Sequence, residues 1–178
     1  MNMKNNKTCL SLLLLSCFMM NAVASNSSLC QAEETILFSC MTKQNKIISL
    51  CASKELSATN GYIQYRFGNK KAVELTYPAN QTVPASKAFQ GRSQMFSGGG
   101  GIYLRFKNKA YDYLIYEGIG KGWTVSGLVL LKNSKFLTYF ACTNKAIVEI
   151  TPDLLSQINI PQDSDETEFF PADIPGLS

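Results

Sequence analysis

The chain has 178 residues, a net charge of +4 and no histidine. The absence of histidine excludes Ser-His-Asp and Cys-His catalytic sites and histidine-based zinc sites. The charge is uneven, because residues 25–149 carry a balance of +8 whereas residues 150–178 carry 6 acidic and no basic side chains. This division indicates a basic body and an acidic tail. Either the tail is solvated and disordered, or it folds back over a basic face, or that face meets an anionic partner.

Residues 1–24 have the pattern of a bacterial export signal. Lys4 and Lys7 give a basic start, an apolar run covers 10–20, and small residues at 22–24 form a cleavage site. The alternative is a lipoprotein acylated at Cys17, which the continued apolar run after that residue disfavours. No second apolar run is long enough to span a bilayer. The sequence therefore predicts a mature periplasmic or secreted protein with no stable membrane span.

Four cysteines remain after the signal: Cys30, Cys40, Cys51 and Cys142. An even number in an exported domain predicts two disulfide bonds. We favour Cys40–Cys142 with Cys30–Cys51, because the first and last long strands would be neighbours in a closed barrel. The main alternative pairs Cys40 with Cys51 on one hairpin. Since no C-x2-C pair is present, we expect no metal site, and we expect no cofactor.

Alternating apolar and polar residues in the body predict antiparallel strands with one wet face. The predicted strands are 35–42, 47–52, 62–67, 72–77, 102–107, 110–116, 123–132 and 135–142, with a further strand possible at 146–150.

Asparagines stand at four of the connections, and asparagine tolerates the positive φ of tight hairpin turns. They are Asn45, Asn69, Asn108 and Asn133. The predicted fold is all-β, an antiparallel barrel or sandwich of about eight strands joined by hairpins, with a short C-terminal helix and an acidic tail.

Two segments depart from the strand pattern. Residues 78–94 are predicted to form a long irregular loop. Thr151 is predicted to cap a short helix through residue 157, with Pro152 in its first position. The predicted organisation is a signal peptide at 1–24, a β-domain at 25–150, and the short helix with a mobile acidic tail at 151–178. Phe169 and Phe170 are the tail residues that could dock on the body.

Two glycine-rich clusters, 97–101 and 117–123, are the candidate contact regions. Four consecutive glycines indicate a bulged strand start, a flexible loop or exposed amides that can hold an anion. The second cluster predicts a wide turn or bulge, and Trp123 is either a core residue or an exposed aromatic. The predicted contact residues are Ser97, Gly98, Gly99, Gly100, Gly101, Tyr103, Lys121 and Trp123.

The favoured function is a non-catalytic envelope module that binds an envelope or secreted protein, with an inhibitor as one form of it. One alternative is a cell-wall glycan or peptidoglycan binder that uses Trp123 and surface tyrosines. Another is a histidine-free hydrolase that uses carboxylates such as Asp112 and Glu117. Nucleic-acid binding is not expected of an exported chain with this low net charge, and the oligomeric state is open.

Several segments resemble a recurrent group of bacterial exported proteins of unknown function. They are Phe38-Ser39-Cys40 and the ranges 49–56, 61–68 and 97–106. The order of Phe38-Ser39-Cys40, then Ser97-Gly98 with Tyr103, then Cys142 also resembles the periplasmic inhibitors of C-type lysozyme. That resemblance implies a small disulfide-linked β-barrel with Ser97 probing the lysozyme cleft. The chain departs from it in a longer glycine loop, two extra cysteines and a larger body.

Overall fold

The fold is a sandwich of two antiparallel sheets, seen in a computed structural model that describes residues 27–163. The strands are β1 (Thr35–Met41), β2 (Ile47–Ala52), β3 (Ile63–Asn69), β4 (Ala72–Tyr77), β5 (Gln90–Phe96), β6 (Gly99–Asn108), β7 (Tyr111–Gly120), β8 (Trp123–Lys132), β9 (Lys135–Ala141) and β10 (Ile147–Val148), and the helices are α1 (Ala85–Ala88) and α2 (Pro152–Gln157). The first sheet has the order β10-β1-β2-β3-β4 and the second has the order β5-β6-β7-β8-β9. The sheets do not close into a barrel, so of the two predicted architectures the sandwich fits.

The core lies between the sheets and follows from the period-two pattern. Tyr65 of β3, Leu104 of β6 and Ile115 of β7 are fully buried in it. Their chain neighbours point to the outer faces, because successive side chains of a strand alternate. Inside the core, Phe106 stacks on Tyr113 with ring centroids 4.6 Å apart. The alternating residues thus supply one dry face per sheet, as the sequence predicted.

Both favoured disulfide bonds are present. Cys30–Cys51 attaches the segment before β1 to β2, and Cys40–Cys142 connects β1 to the residue after β9. The second bond therefore joins the two sheets. Two disulfides indicate an oxidising, extracytoplasmic location. The predicted signal peptide lies outside the described residues. Neither helix in the described part of the chain has the length and apolar character needed to cross a membrane.

The segment before β1 covers the outer face of the first sheet. Arg66 forms a two-pronged ion pair with Glu34, at 2.6 and 2.7 Å, and donates to the Leu29 carbonyl. Burial raises the pKa of Glu34, but hydrogen bonds from Arg66, the Gln31 amide and Tyr62 outweigh it and hold the pKa below its ordinary value. The N-terminal segment is thereby fixed by a disulfide and a buried ion pair.

The predicted loop at 78–94 is wrong in its second half. Helix α1 and the start of β5 occupy residues 85–94. The pattern of β5 is polar, yet every residue from Gln90 to Phe96 pairs with β6. Backbone pairing with a neighbouring strand, rather than an apolar stripe, makes this segment a strand.

The hairpin turns follow the asparagine prediction only in part. Asn45 and Asn133 have positive φ, whereas Lys109 rather than Asn108 takes it at the third position. Asn69 instead closes its turn through its side chain, whose Oδ1 accepts hydrogen bonds from the backbone amides of Lys71 and Ala72.

The C-terminal helix forms as predicted and leads the chain along the second sheet. The Thr151 hydroxyl accepts a hydrogen bond from the Leu154 amide, and Pro152 begins α2. Residues 161–163 then run parallel to β5, where the Gly91 amide donates to the Pro161 carbonyl at 3.0 Å. The described chain therefore ends beside β5.

Candidate functional site

The two glycine clusters, distant in sequence, lie side by side at one end of the second sheet. Residues 99–101 of β6 pair with residues 118–120 of β7, with Gly99 opposite Gly120 and Gly101 opposite Gly118. For residues 99–101 the expected strand start is therefore correct, although no bulge is present, whereas the predicted wide turn or bulge is wrong for 117–120. Both stretches are strand, because each provides the other with backbone partners. We call residues 95–101 and 118–123 the glycine-rich end.

Two tight turns form the tip of this end. Ser97-Gly98 connects β5 to β6, and Lys121-Gly122 connects β7 to β8. The Lys121 amide donates to the Gly98 carbonyl at 3.1 Å, which holds the two turns together. Gly98 and Gly122 have φ of 89° and 85°, and a Cβ on either would meet nothing within 4 Å. Glycine is required here for its backbone angle and not for space.

The glycine-rich end projects past the core. Ile102 is buried between the sheets, whereas Gly100 lies one step further along the same face and is covered by the Met95 side chain. Its neighbours on that face, Met95 and Ile119, are 81% and 53% exposed. A Cβ at residue 100 would lie 2.5 Å from the Met95 sulfur, so glycine at this position lets Met95 lie across β6. The result is a projecting apolar surface.

Trp123 lies on the opposite, outer face of the same end. It pairs with Gly120, and a Cβ on that glycine would be 2.1 Å from the indole ring. The ring therefore packs on the glycine backbone and is half-buried. Trp123 is neither a core residue between the sheets nor a fully exposed aromatic.

Tyr103 does not join the other predicted contact residues. It lies on the outer face of β6, is 2% exposed and donates a hydrogen bond to Asp163 at 2.8 Å. Burial, and then this bond, raise the pKa of the Tyr103 phenol. The structure thus gathers Ser97, Gly98, Gly99, Gly100, Gly101, Lys121 and Trp123 at the glycine-rich end and leaves Tyr103 in the body of the sheet.

A buried ion-pair network beside Tyr103 was not predicted from the sequence. Arg105 contacts Asp112 at 3.1 Å and Asp163 at 3.0 Å, and all three side chains are almost fully buried. Burial lowers the pKa of Arg105, but the two carboxylates outweigh it and raise the pKa above its ordinary value. Asp163 thereby fixes the end of the described chain to the outer face of the second sheet.

An internal repeat could have revealed this network. The pattern I-x-x-R-F-x-N-K occurs at residues 63–70 and again at 102–109. Each copy is a strand followed by a hairpin, and each arginine points outward from its sheet. Arg66 pairs with Glu34 before the first strand, and Arg105 pairs with Asp163 after the last. The repeated arginine therefore binds a terminal segment to each outer face.

The two carboxylates named for the hydrolase alternative lie in one strand, β7, and do not form a pair. Asp112 and Glu117 point to opposite faces of β7, so they cannot act on one bond together. Burial raises the pKa of Glu117. The Sγ atoms of Cys30 and Cys51 and a carboxylate oxygen of Glu34 lie within 4.8 Å of one another. The two sulfur atoms form a disulfide, however, so neither cysteine is a thiolate that could bind a metal ion.

Comparison with known proteins gave no match, since no protein-family model, no curated protein and no solved structure is significantly similar to the chain.

Proposed function

We propose that the protein is an extracytoplasmic protein-binding module whose contact surface is the glycine-rich end. The single observation that carries this proposal is the pairing of the two glycine clusters into one projecting end with exposed Met95 and Ile119. Methionine is enriched at protein interfaces, and its flexible thioether adapts to the partner surface. Exposed apolar side chains next to glycine backbone can form the contacts of a protein interface more readily than those of a sugar-binding site.

The chemistry of the tip supports the same conclusion. The turns expose backbone amides and carbonyls with no side chain to shield them, and Lys121 adds one positive charge. Since Trp123 already packs one ring face on Gly120, it offers less area for stacking on a sugar ring than an open aromatic does. The contacts available are therefore apolar and backbone hydrogen-bonding.

The test compares capture of envelope proteins by the wild-type chain and by a variant with M95D and I119D. A carboxylate at each position places a charge in the proposed apolar contact and should release the partner. The matched control is V73D, because Val73 is also an exposed apolar residue, 48% exposed, but lies in β4 of the other sheet. A partner retained by the control and lost by the double variant supports the proposal. A partner retained equally by all three contradicts it.

The resemblance to lysozyme inhibitors makes C-type lysozyme the first partner to test. On the proposed surface, Ser97 is the exposed hydroxyl nearest the tip. We expect the protein to slow cell-wall lysis by C-type lysozyme, and S97A to weaken inhibition without changing the circular dichroism spectrum. Undiminished lysis by lysozyme with the folded wild-type protein present would reject the inhibitor form of the proposal.

A further inference from the structure

The end of the second sheet that lies opposite the glycine-rich end is formed by two further hairpin turns. Residues 109–110 connect β6 to β7, and residues 133–134 connect β8 to β9. The Asn133 amide donates to the Ala110 carbonyl at 2.8 Å, which holds the two turns together. We call residues 107–112 and 131–137 the basic end, because lysine is the commonest residue in them.

The basic end carries four lysines and one acidic residue, a balance of +3. The lysines are Lys107, Lys109, Lys132 and Lys135, and all four are exposed. The acidic residue, Asp112, is 4% exposed and contacts Arg105 at 3.1 Å as well as Lys107 at 3.7 Å. Since this one carboxylate is shared between two cations, it compensates little of the charge that the other lysines present to solvent.

Two exposed apolar side chains stand directly beside the lysines. Phe136 is 43% exposed and Leu137 is 49% exposed. Both belong to β9, which is an edge strand of the second sheet. Lys132 pairs with Lys135, so the apolar pair begins one residue further into the sheet than this pair of lysines. The basic end therefore combines positive charge with exposed apolar surface at one edge of the molecule.

This combination matches the chemistry of an anionic membrane surface. Clustered lysines are attracted to anionic lipid headgroups, and their methylene stems can lie on apolar surface while the ammonium groups stay in water. Phenylalanine and leucine side chains enter the boundary between headgroups and acyl chains. An acidic polysaccharide would match the lysines as well, but it would leave Phe136 and Leu137 in water. The exposed apolar pair thus favours a lipid surface.

We propose that the basic end docks on an anionic phospholipid surface, with its lysines at the headgroups and with Phe136 and Leu137 inserted beneath them. Strand β7 runs from Tyr111 at the basic end to Gly120 at the glycine-rich end, a length of about 30 Å at roughly 3.3 Å per residue. Docking therefore holds the proposed protein-binding surface away from the membrane, and both surfaces can be occupied at once. The inference goes beyond the proposed function and does not depend on it.

The first test is co-sedimentation of the mature chain with vesicles of equal parts phosphatidylglycerol and phosphatidylcholine, and with vesicles of phosphatidylcholine alone. The test variant carries K109Q, K132Q and K135Q. The matched control carries K43Q, K71Q and K145Q, which removes the same charge from exposed lysines outside the second sheet. Circular dichroism checks that every variant is folded.

We expect the wild-type protein to bind the anionic vesicles and not those of phosphatidylcholine alone. Each lysine near an anionic surface strengthens binding by roughly five-fold, so the test variant should bind the anionic vesicles about 100-fold more weakly. The control variant should bind them like the wild type. No binding by the folded wild-type protein, binding that does not depend on lipid charge, or equal affinities of the test and control variants would overturn the proposal.

The second test reports insertion of the apolar pair. Trp123 is the only tryptophan of the chain and lies at the glycine-rich end, so its fluorescence emission should not change when the wild-type protein binds vesicles. In an F136W variant the added indole should shift the emission to shorter wavelength on anionic vesicles, because it leaves water. Vesicle binding by F136W with unchanged emission would overturn the proposed insertion, and a polyanion would then be the better match for the lysines.

Discussion

The two disulfides should differ in how much they stabilise the fold, because they close loops of different length. Cys40 and Cys142 are 102 residues apart, whereas Cys30 and Cys51 are 21 apart. The loss of loop-closure entropy in the unfolded chain is worth about 4.7 kcal/mol for the longer loop and about 3.3 kcal/mol for the shorter. Replacing the longer-range pair should therefore cost about 1.4 kcal/mol more.

The two double variants should differ little in the other contributions to their free energy of unfolding. Each pair consists of one fully buried cysteine, Cys40 or Cys51, and one half-buried cysteine, Cys142 or Cys30. Serine in place of both members introduces similar buried hydroxyls in each case, so this cost nearly cancels between the two variants. The remaining difference reports the loop length and the connection of the two sheets.

The assay is urea unfolding of the mature wild-type chain, of C30S/C51S and of C40S/C142S, with the free energy of unfolding extrapolated to water. We expect no free thiol in the wild-type protein and the larger loss in C40S/C142S. Equal losses, or a larger loss in C30S/C51S, would refute the reasoning from loop length. Four reactive thiols in protein prepared from an oxidising compartment would refute the disulfides themselves.

Three further substitutions test local features of the fold. E34Q should lower stability at neutral pH by about 3–5 kcal/mol, because it leaves Arg66 buried without its carboxylate. The pKa of Glu34 lies below the ordinary 4.5, so its stabilisation is complete above that value and is lost as the pH falls through the lower folded pKa. The stability difference from wild type should consequently shrink on acidification, and a difference independent of pH contradicts this account. G120A should displace Trp123 and shift its fluorescence emission to longer wavelength, since the new Cβ would lie 2.1 Å from the ring, and unchanged emission would count against the packing described. T151A should cost about 1 kcal/mol in urea unfolding by removing the helix cap, whereas no loss would mean that the cap is dispensable.

The sequence predicted the elements whose pattern comes from the buried core. Alternation in β3 is visible because Ile63 and Tyr65 face the core while Gln64 and Arg66 face outward. The pairing of the cysteines was predicted correctly, although the closed barrel used to argue it does not form. Cys142 comes close to β1 because it lies opposite Thr42 in an isolated bridge. The cap of α2 was visible because a threonine followed by a proline favours a helix start at that point whatever the rest of the fold does.

The strand β5 could not be predicted from its own residues. It contains Gly91 and a polar run, and it becomes a strand by pairing with β6 on one side and with residues 161–163 on the other. A flexible loop was one of the expectations for residues 99–101 for a related reason, since glycine has a low strand preference. Long-range pairing with 118–120 overrides that local preference.

The candidate site was predicted in its parts but not in its arrangement. Both glycine clusters were identified, but no local pattern in either cluster indicates that they pair with each other. Tyr103 was placed with them through the resemblance to the lysozyme inhibitors, in which a tyrosine follows the Ser-Gly pair, here Ser97-Gly98. Contact with Asp163, sixty residues later, buries it instead. The repeated I-x-x-R-F-x-N-K pattern was the available signal that these outer faces are covered.

Site-specific photo-crosslinking tests the proposed contact surface most directly. A photoreactive phenylalanine derivative replaces Met95 in one chain and Val73 in another, and both proteins are irradiated in intact cells of the producing organism. Our account predicts a covalent adduct with another protein from position 95 and none from position 73. No adduct from position 95, or the same adduct from both positions, would contradict the assignment of the glycine-rich end as the partner-binding surface.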